Sequence, residues 1–330
     1  MSNQNHSSVS VVVRFCSAVV VLALLFLFGN RVVAVALASP PKIVTSTTDL
    51  AWAARQIAGD AASVDSLLRG HEDPHFVDAR PDFVAKVSRA DAVCVVGLDL
   101  EIGWMPKVLA KSGRRDVQPG GKGYCNAGEA VVPLDKATGS VDRSMGDVHP
   151  SGNPHYWLSP VAFAAAAAEI KKTLVRLDPQ GTDRYEDRYR AFVQAMEALN
   201  KTLRDRLVAA GVTGSSARFF EYHREFAYFA QAYGLTSGGT IEEKPGVSPS
   251  ASRLVQVSKM IRDSGVKLVL AGHTAPERTL ARVQELSGVA VLRLPLSVAR
   301  EGALAGYIDW QNHLVDEIIK AHRAAAQRRL

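Results

Sequence analysis

The chain has 330 residues and a formal net charge of +6, and 47% of its residues are hydrophobic. Its Lys and Arg residues are spread along the sequence, without a long cationic run or interleaved aromatic residues. The sequence therefore lacks the clustering of basic residues that is usual in nucleic-acid-binding proteins. The length is sufficient for two lobes of ordinary size.

The N-terminal segment, residues 1–38, predicts a secretory signal peptide. Arg14 precedes the apolar run of residues 18–28, "AVVVLALLFLF", and the small-x-small sequence at 36–38 follows it. The apolar run is interrupted before it reaches the ~20 residues that a membrane-spanning helix needs. Because Cys16 precedes this run and does not stand at the cleavage point, we expect no lipid anchor. The sequence therefore predicts a periplasmic or otherwise extracytoplasmic protein, exported by a cleavable signal and not a lipoprotein.

Strands and helices alternate after the signal segment, which predicts an α/β fold with parallel sheets. The strand-like runs "KIVTST", "SVDSLL" and "DAVCVVG" are separated by helical segments, and the last run has the continuous apolar character of a buried parallel strand. Between residues 116 and 153 the alternation gives way to Gly, Pro and polar residues, with "AVVPL" as the one strand-like run. A helix capped by Ser159 then follows.

The longest helical pattern in the chain runs from residue 183 to about residue 210, with apolar residues every three or four positions. A second alternating set follows it, with "ARFFEYH", "KLVLAG" and "VAVLRLPL" as strands and a closing helix after Tyr307. The sequence thus predicts a first lobe at 39–180, a rigid connecting helix at 181–211 and a second lobe at 212–330. A ligand site is expected in the cleft between the lobes.

The stretch "LLRGHEDPHFVDARP" contains the zinc-protease signature H-E-x-x-H at His71, Glu72 and His75. That signature requires a continuous helix, because only then do residues four apart share a face. Pro74 directly precedes His75, and a proline inside a helix costs about 3 kcal/mol. The two histidines therefore do not share a helix face, and the protease interpretation fails.

Four histidines do, however, follow strands or occupy loops at the expected carboxyl edge of a sheet, where open α/β sheets bind ligands. Two belong to the first predicted lobe and two to the second: His75, His155, His223 and His273. This even division predicts a metal site in the cleft. His71 and His149 lie on loops and are expected at its rim.

Three motifs, in order, resemble those of the periplasmic solute-binding proteins of zinc and manganese ABC importers (the cluster A-I or zinc-uptake family). They are "GHEDPHFVDARP", "GNPHYWLSP" and "EYHREFAYFAQAYGL", and "LDLEIGWMPKVL" is similar to a further segment of that family. The resemblance covers nearly all of the chain after the signal. It implies two α/β lobes bridged by a long helix, one divalent ion in the cleft, and the ligands His75, His155 and His223.

The chain departs from this family at the fourth ligand. The family usually supplies a carboxylate from an Asp-Pro-Leu segment, whereas the corresponding segment here is Leu294-Pro295-Leu296. We expect either three protein ligands and water or a substitute, for which His273 is the first candidate. The runners-up are Glu221, Glu242 and Glu243.

Several imidazoles without an assured carboxylate favour Zn²⁺ as the cargo, since harder ions such as Mn²⁺ prefer oxygen ligands, although Mn²⁺ or another divalent transition metal remains open. The expected function is capture of this metal and its delivery to an ABC transporter permease by a monomer. No enzymatic activity and no catalytic residue is expected. Two alternatives are a zinc hydrolase with an open three-histidine site and a metal-binding adhesin. Whether Cys94 and Cys125 pair is not decided by the sequence.

Overall fold

A computed structural model of the chain describes residues 39–139 and 145–327. Residues 40–330 form one unit by internal contacts, and the predicted signal peptide lies outside the described residues. No helix in these described ranges is both long and apolar enough to cross a membrane.

The first lobe contains a four-stranded, fully parallel sheet with the strand order β2-β1-β3-β4. Its strands are β1 (Lys42–Thr45), β2 (Ser63–Ser66), β3 (Ala92–Val95) and β4 (Tyr124–Asn126). Its helices are α1 (Thr48–Ala58), α2 (Pro81–Val87), α3 (Met105–Lys111) and α4 (Pro160–Leu177).

The second lobe repeats this arrangement with the order β6-β5-β7-β8, again fully parallel. Its strands are β5 (Arg218–Glu221), β6 (Thr236–Thr240), β7 (Leu268–Gly272) and β8 (Ala290–Leu294). The helix α5 (Thr182–Ala209) precedes it, and α6 (Ala227–Tyr233), α7 (Ala251–Ser264), α8 (Glu277–Ser287) and α9 (Tyr307–Gln327) belong to it. The predicted fold class, two α/β lobes with parallel sheets and a long helix between them, is confirmed. The bounds given for the lobes stay a prediction.

Two strands differ from the sequence prediction. The run at 130–134 forms no strand; β4 lies just before it, and a 3₁₀ turn at Ala127–Ala130 separates the two. Pro133 lacks the backbone donor that a strand needs. The strand β6 was not predicted, because its sequence TSGGT has two glycines and little apolar content, which an edge strand tolerates.

Cys94 and Cys125 stand opposite each other in the β3–β4 pair. Both side chains are buried as free thiols. Hydrogen bonding to Cys125, together with burial, raises the pKa of Cys94 well above its usual value.

One continuous hydrophobic core joins the lobes. It contains Ile43 of β1 and Leu270 of β7, and it extends to Leu203 of α5 and Trp310 of α9. Two smaller clusters lie apart from it, one built only from first-lobe residues and the other only from second-lobe residues. The largest cluster contains residues of both lobes. Separating the lobes would therefore expose apolar surface to water, at a free-energy cost of about 25 cal/mol for each Å².

Hydrogen bonds across the lobes accompany this core. Trp157 donates its indole N–H to the carbonyl of Leu296 (2.7 Å), and the Tyr307 hydroxyl donates to the carbonyl of Trp157 (2.6 Å). At the start of α1, the Thr48 hydroxyl donates to the carbonyl of Val298 (2.6 Å). The carboxyl edges of the two sheets are thereby held at a fixed separation.

Asp49 adds an unfavourable element to this junction. Its Oδ1 accepts the N–H of Val298 (3.0 Å), but its Oδ2 is buried and has no partner among the described residues. Burial raises the pKa of this carboxyl to about 7, against the lowering effect of its hydrogen bonds.

We expect Asp49→Asn to stabilise the protein at pH 7.5. The folded state keeps the Asp49 proton until about pH 7, whereas the unfolded state loses it near pH 3.8, so stability falls as pH rises between these values and then levels off. Asn keeps the acceptor for Val298 and removes this loss, which is at most about 4 kcal/mol. Urea unfolding of the metal-free protein at pH 5 and pH 7.5 measures the effect, with the exposed Asp60→Asn as control. An unchanged pH dependence in Asp49→Asn would contradict this assignment.

Candidate metal centre

His75 lies on the loop between β2 and α2, whose described residues contain a single hydrogen-bonded turn and no helix. Asp73 fixes its ring, since the carboxylate Oδ1 accepts both the backbone N–H (3.0 Å) and the Nδ1–H of His75 (2.7 Å). Pro74 separates the two, and its carbonyl accepts the indole N–H of Trp104 (2.9 Å). The turn therefore presents the Nε2 of His75 in one orientation.

His155 lies in an equivalent turn before α4. The amide oxygen of Asn153 accepts its backbone N–H (3.0 Å) and lies 2.9 Å from its Nδ1. The amide nitrogen of the same Asn153 donates to the carbonyl of Arg224 in the second lobe (2.8 Å). One side chain thus orients a first-lobe histidine and ties it to the segment that carries His223.

His223 follows β5. Its Nδ1 lies 2.8 Å from the Oε2 of Glu242, which also accepts the N–H of Gly246 (2.9 Å). All three histidines therefore engage Nδ1 with a side-chain oxygen, which leaves Nε2 of each ring as the nitrogen that could bind a metal. This hydrogen bonding of the second ring nitrogen is what metal-bound histidines show in proteins.

These three imidazoles converge. One ring nitrogen of each of His75, His155 and His223 lies within 4.8 Å of the others. The Nε2 atoms of His75 and His155 are buried and have no hydrogen-bond partner among the described residues. Each such atom costs about 1–3 kcal/mol. A tetrahedral ion bound at about 2.0 Å would satisfy all three atoms after a modest contraction of the cluster.

The pKa values of two histidines in the cluster are shifted in opposite directions. Burial and the neighbouring His75 and His223 lower the pKa of His155 well below its usual value. Burial alone would also lower the pKa of His223, but the hydrogen bond to Glu242 and the nearby carboxylates outweigh it and raise this pKa to about 9. A metal that binds His223 at neutral pH must therefore displace its proton.

A second group of potential ligands shares His75. The Oδ2 of Asp147 lies 3.8 Å from the Nε2 of His75 and 4.0 Å from the Nε2 of His149. Both Asp147 Oδ2 and His149 Nε2 are buried and have no partner among the described residues. Burial, followed by the neighbouring His75, lowers the pKa of His149 to about 3, which keeps it neutral.

Two glutamates near His223 differ in their availability. Glu221 is fully engaged, because its carboxylate accepts hydrogen bonds from Arg224, Phe226 and Ser237. Glu225 is buried, and its Oε2 has no partner among the described residues; burial raises its pKa to about 8. Glu225 lines a cavity of ≈ 150 Å³ together with His75, Asp147 and His223.

His273 is not brought together with the other three predicted ligands. It follows β7, but its Nε2 lies 3.1 Å from the carbonyl oxygen of His71, and its side chain lines a different cavity. His71 is exposed, as expected for a residue at the rim. Of the runners-up, Glu242 contacts Nδ1 of His223 and Glu243 is exposed.

Sequence reasoning missed Asp73, Asn153 and Asp147. A signal for the first two was present, since Asp73-Pro74-His75 and Asn153-Pro154-His155 share one pattern, with a side-chain oxygen two residues before the histidine. Such Asx side chains accept backbone hydrogen bonds two residues on. His149 was expected at the rim, and the structure places it 5.2 Å from His75, measured between ring centroids.

Comparisons with known proteins give matches over most of the chain. The model of the ZnuA family, described as "Zinc-uptake complex component A periplasmic", matches residues 43–321. In solved structures, the chain is similar to the crystal structure of ZnuA, with 25% identity, a TM-score of 0.70 and coverage of 86% of this chain and 99% of that one.

The names of three relatives mention different metals: zinc, manganese and iron. The zinc-binding lipoprotein AdcA of Streptococcus pneumoniae serotype 4 is 25% identical over 80% of this chain and 52% of its own length, so the chain spans about half of AdcA. The manganese transporter lipoprotein PsaA of Streptococcus pneumoniae is 24% identical over 79% of this chain and 82% of its own length. The iron transporter lipoprotein MtsA of Streptococcus pyogenes serotype M1 is 26% identical, covering 73% and 76%.

These relatives overturn one expectation. The prediction that the chain is not a lipoprotein is wrong on this comparison, because AdcA, PsaA and MtsA are all named lipoproteins. The prediction depended on the position of Cys16 alone, in a segment outside the described residues.

We expect Glu242→Gln to weaken metal binding by about 10–100-fold, because the ring of His223 loses the carboxylate that orients it and raises its basicity. Competition with a chromophoric chelator at pH 7.5 measures this change. The neighbouring Glu243→Gln is the matched control, since Glu243 is exposed and should leave the affinity unchanged. Equal affinities in the two variants would show that Glu242 does not support a ligand.

Proposed function

The chain belongs to the family of zinc-uptake complex component A proteins, which are metal-binding substrate-binding proteins of ABC importers and not enzymes, and we propose that its cargo is Zn²⁺. On this proposal the protein captures the ion outside the cytoplasm and delivers it to a permease in the membrane. The observation that carries the proposal is the convergence of three oriented imidazoles.

The donor set supports zinc over its competitors. Three neutral imidazole nitrogens suit Zn²⁺, whereas Mn²⁺ prefers carboxylate, carbonyl and water oxygens. The names of the relatives include zinc, manganese and iron, so the choice for this chain depends on its own residues. The segment Leu294-Pro295-Leu296 offers no carboxylate side chain, which removes one oxygen donor that a manganese site would use.

We further propose His75, His155 and His223 as the protein ligands, with Asp147 in the fourth position. Asp147 is favoured because its Oδ2 is buried without a partner among the described residues and lies 3.8 Å from the Nε2 of His75. Glu225 is the competing carboxylate. His273, whose Nε2 faces the carbonyl of His71, is outside the proposed set.

We expect zinc to bind at least about a hundredfold more tightly than manganese, in line with the general order of divalent metal affinities. Competitive titration of the metal-free protein at pH 7.5 gives this ratio. His155→Ala should abolish tight zinc binding, because it removes a fully buried ligand. His273→Ala is the matched control and should retain full stoichiometry and affinity.

The same titration distinguishes between Asp147 and Glu225 as the proposed fourth ligand. Asp147→Asn should lower zinc affinity by about tenfold or more, through loss of a charged donor, while Glu225→Gln should change it little. The reverse result would move the fourth position to Glu225. Manganese binding as tight as zinc, or tight zinc binding by His155→Ala, would contradict the proposed cargo and site.

A further inference from the structure

A second cavity lies where loops of the two lobes meet, apart from the three-histidine cluster. It has a volume of ≈ 900 Å³, and we call it the basic cavity. Arg69, His71 and Lys86 line it from the first lobe, and His273, Arg293 and Arg300 line it from the second.

The basic cavity carries an excess of positive charge. Four cationic side chains line it, against the single carboxylate of Glu301. Lys86 and Arg300 share one further carboxylate, that of Asp65, at 2.7 Å and 2.8 Å. The side chains of Arg69 and Arg293, one from each lobe, have no carboxylate partner among the described residues. The backbone N–H of Arg69 donates to the carboxylate of Glu72 (2.7 Å), and the side chain of Arg293 donates to the carbonyl of His273. Guanidinium groups placed in this way bind oxyanions strongly, because their donors match the spacing of two oxygens.

His273 adds a neutral acceptor to this wall. Its Nε2 lies 3.1 Å from a carbonyl oxygen, that of His71, which can only accept, so Nε2 carries the proton. In the neutral ring Nδ1 is then an acceptor, and it is buried and has no partner among the described residues. A ligand that pairs with all of these groups therefore places anionic oxygens against the arginines and donates a hydroxyl to Nδ1 of His273.

We propose that the basic cavity binds a small oxyanion that also carries a hydroxyl, of the hydrogenphosphate type. Its anionic oxygens contact Arg69 and Arg293, and its hydroxyl donates to Nδ1 of His273. A bound oxyanion would bridge the two lobes. Because the cavity uses none of the three histidines assigned to the metal, this site is independent of the proposed zinc cargo.

Calorimetric titration of the zinc-loaded protein with inorganic phosphate, and separately with sulfate, tests this proposal. Sulfate has nearly the same shape and charge but no hydroxyl at neutral pH, so it should bind about tenfold more weakly than phosphate. Arg69→Gln and Arg293→Gln should each weaken phosphate binding by about tenfold. His273→Ala should erase the preference for phosphate over sulfate. Arg278→Gln, which removes an exposed charge away from the cavity, should change nothing.

Three outcomes would overturn the proposal: no saturable phosphate binding, equal affinity for sulfate in the unaltered protein, or an equal loss in Arg278→Gln, which would indicate non-specific attraction to a basic protein. Zinc content measured on each variant keeps the two sites distinguishable. A variant that loses phosphate binding and keeps zinc has lost only the basic cavity, and failure of the zinc assignment leaves the phosphate result intact.

Discussion

The hydrophobic core that the two sheets share is the constraint on which the candidate metal centre depends. Ile43 and Leu270 belong to strands of different sheets, yet one buried cluster contains both. The indole N–H of Trp157 and the hydroxyl of Thr48 reinforce this junction by donating to carbonyls of the second lobe. Loops from both lobes therefore meet at a fixed separation, and wide hinge opening would expose the common core. Entry and exit of a bound ion would therefore use local movement of loops, such as the loop that carries His75.

Within that frame, each imidazole is oriented by an oxygen atom close to it. Asp73, Asn153 and Glu242 each contact Nδ1 of their histidine, and one ring nitrogen of each histidine lies within 4.8 Å of the others. Without a cation this arrangement is costly at two atoms, since the buried Nε2 atoms of His75 and His155 lack hydrogen-bond partners among the described residues. A cation would satisfy these two atoms, but at neutral pH it must also displace the proton of His223, whose pKa is raised to about 9. The hydrogen bonds that orient the three histidines thus leave buried ring nitrogens unpaired unless a cation binds them.

The sequence predicted the two-lobe α/β fold because hydrophobic periodicity is local and strong in β3, β7 and α5. It missed β6, whose glycine-rich edge sequence has no such pattern, and it placed a strand at 130–134, where Pro133 opposes one. His75, His155 and His223 could be selected because strand ends in parallel sheets gather at one edge. The same rule also selected His273, since that edge is wider than the site and β7 delivers its histidine to the basic cavity. The pairing of His223 with Glu242, 19 residues away, depends on tertiary structure that no local pattern encodes.

Zinc K-edge X-ray absorption of the loaded protein tests the central claim, that imidazoles from both lobes hold the ion, most directly. The account predicts a four-coordinate shell of nitrogen and oxygen at about 2.0–2.1 Å, with outer-shell scattering from three imidazole rings. Removal of His223 from the second lobe should reduce that scattering to two rings. A shell with fewer than three imidazoles in the unaltered protein, or one that His223→Ala leaves unchanged, would contradict it.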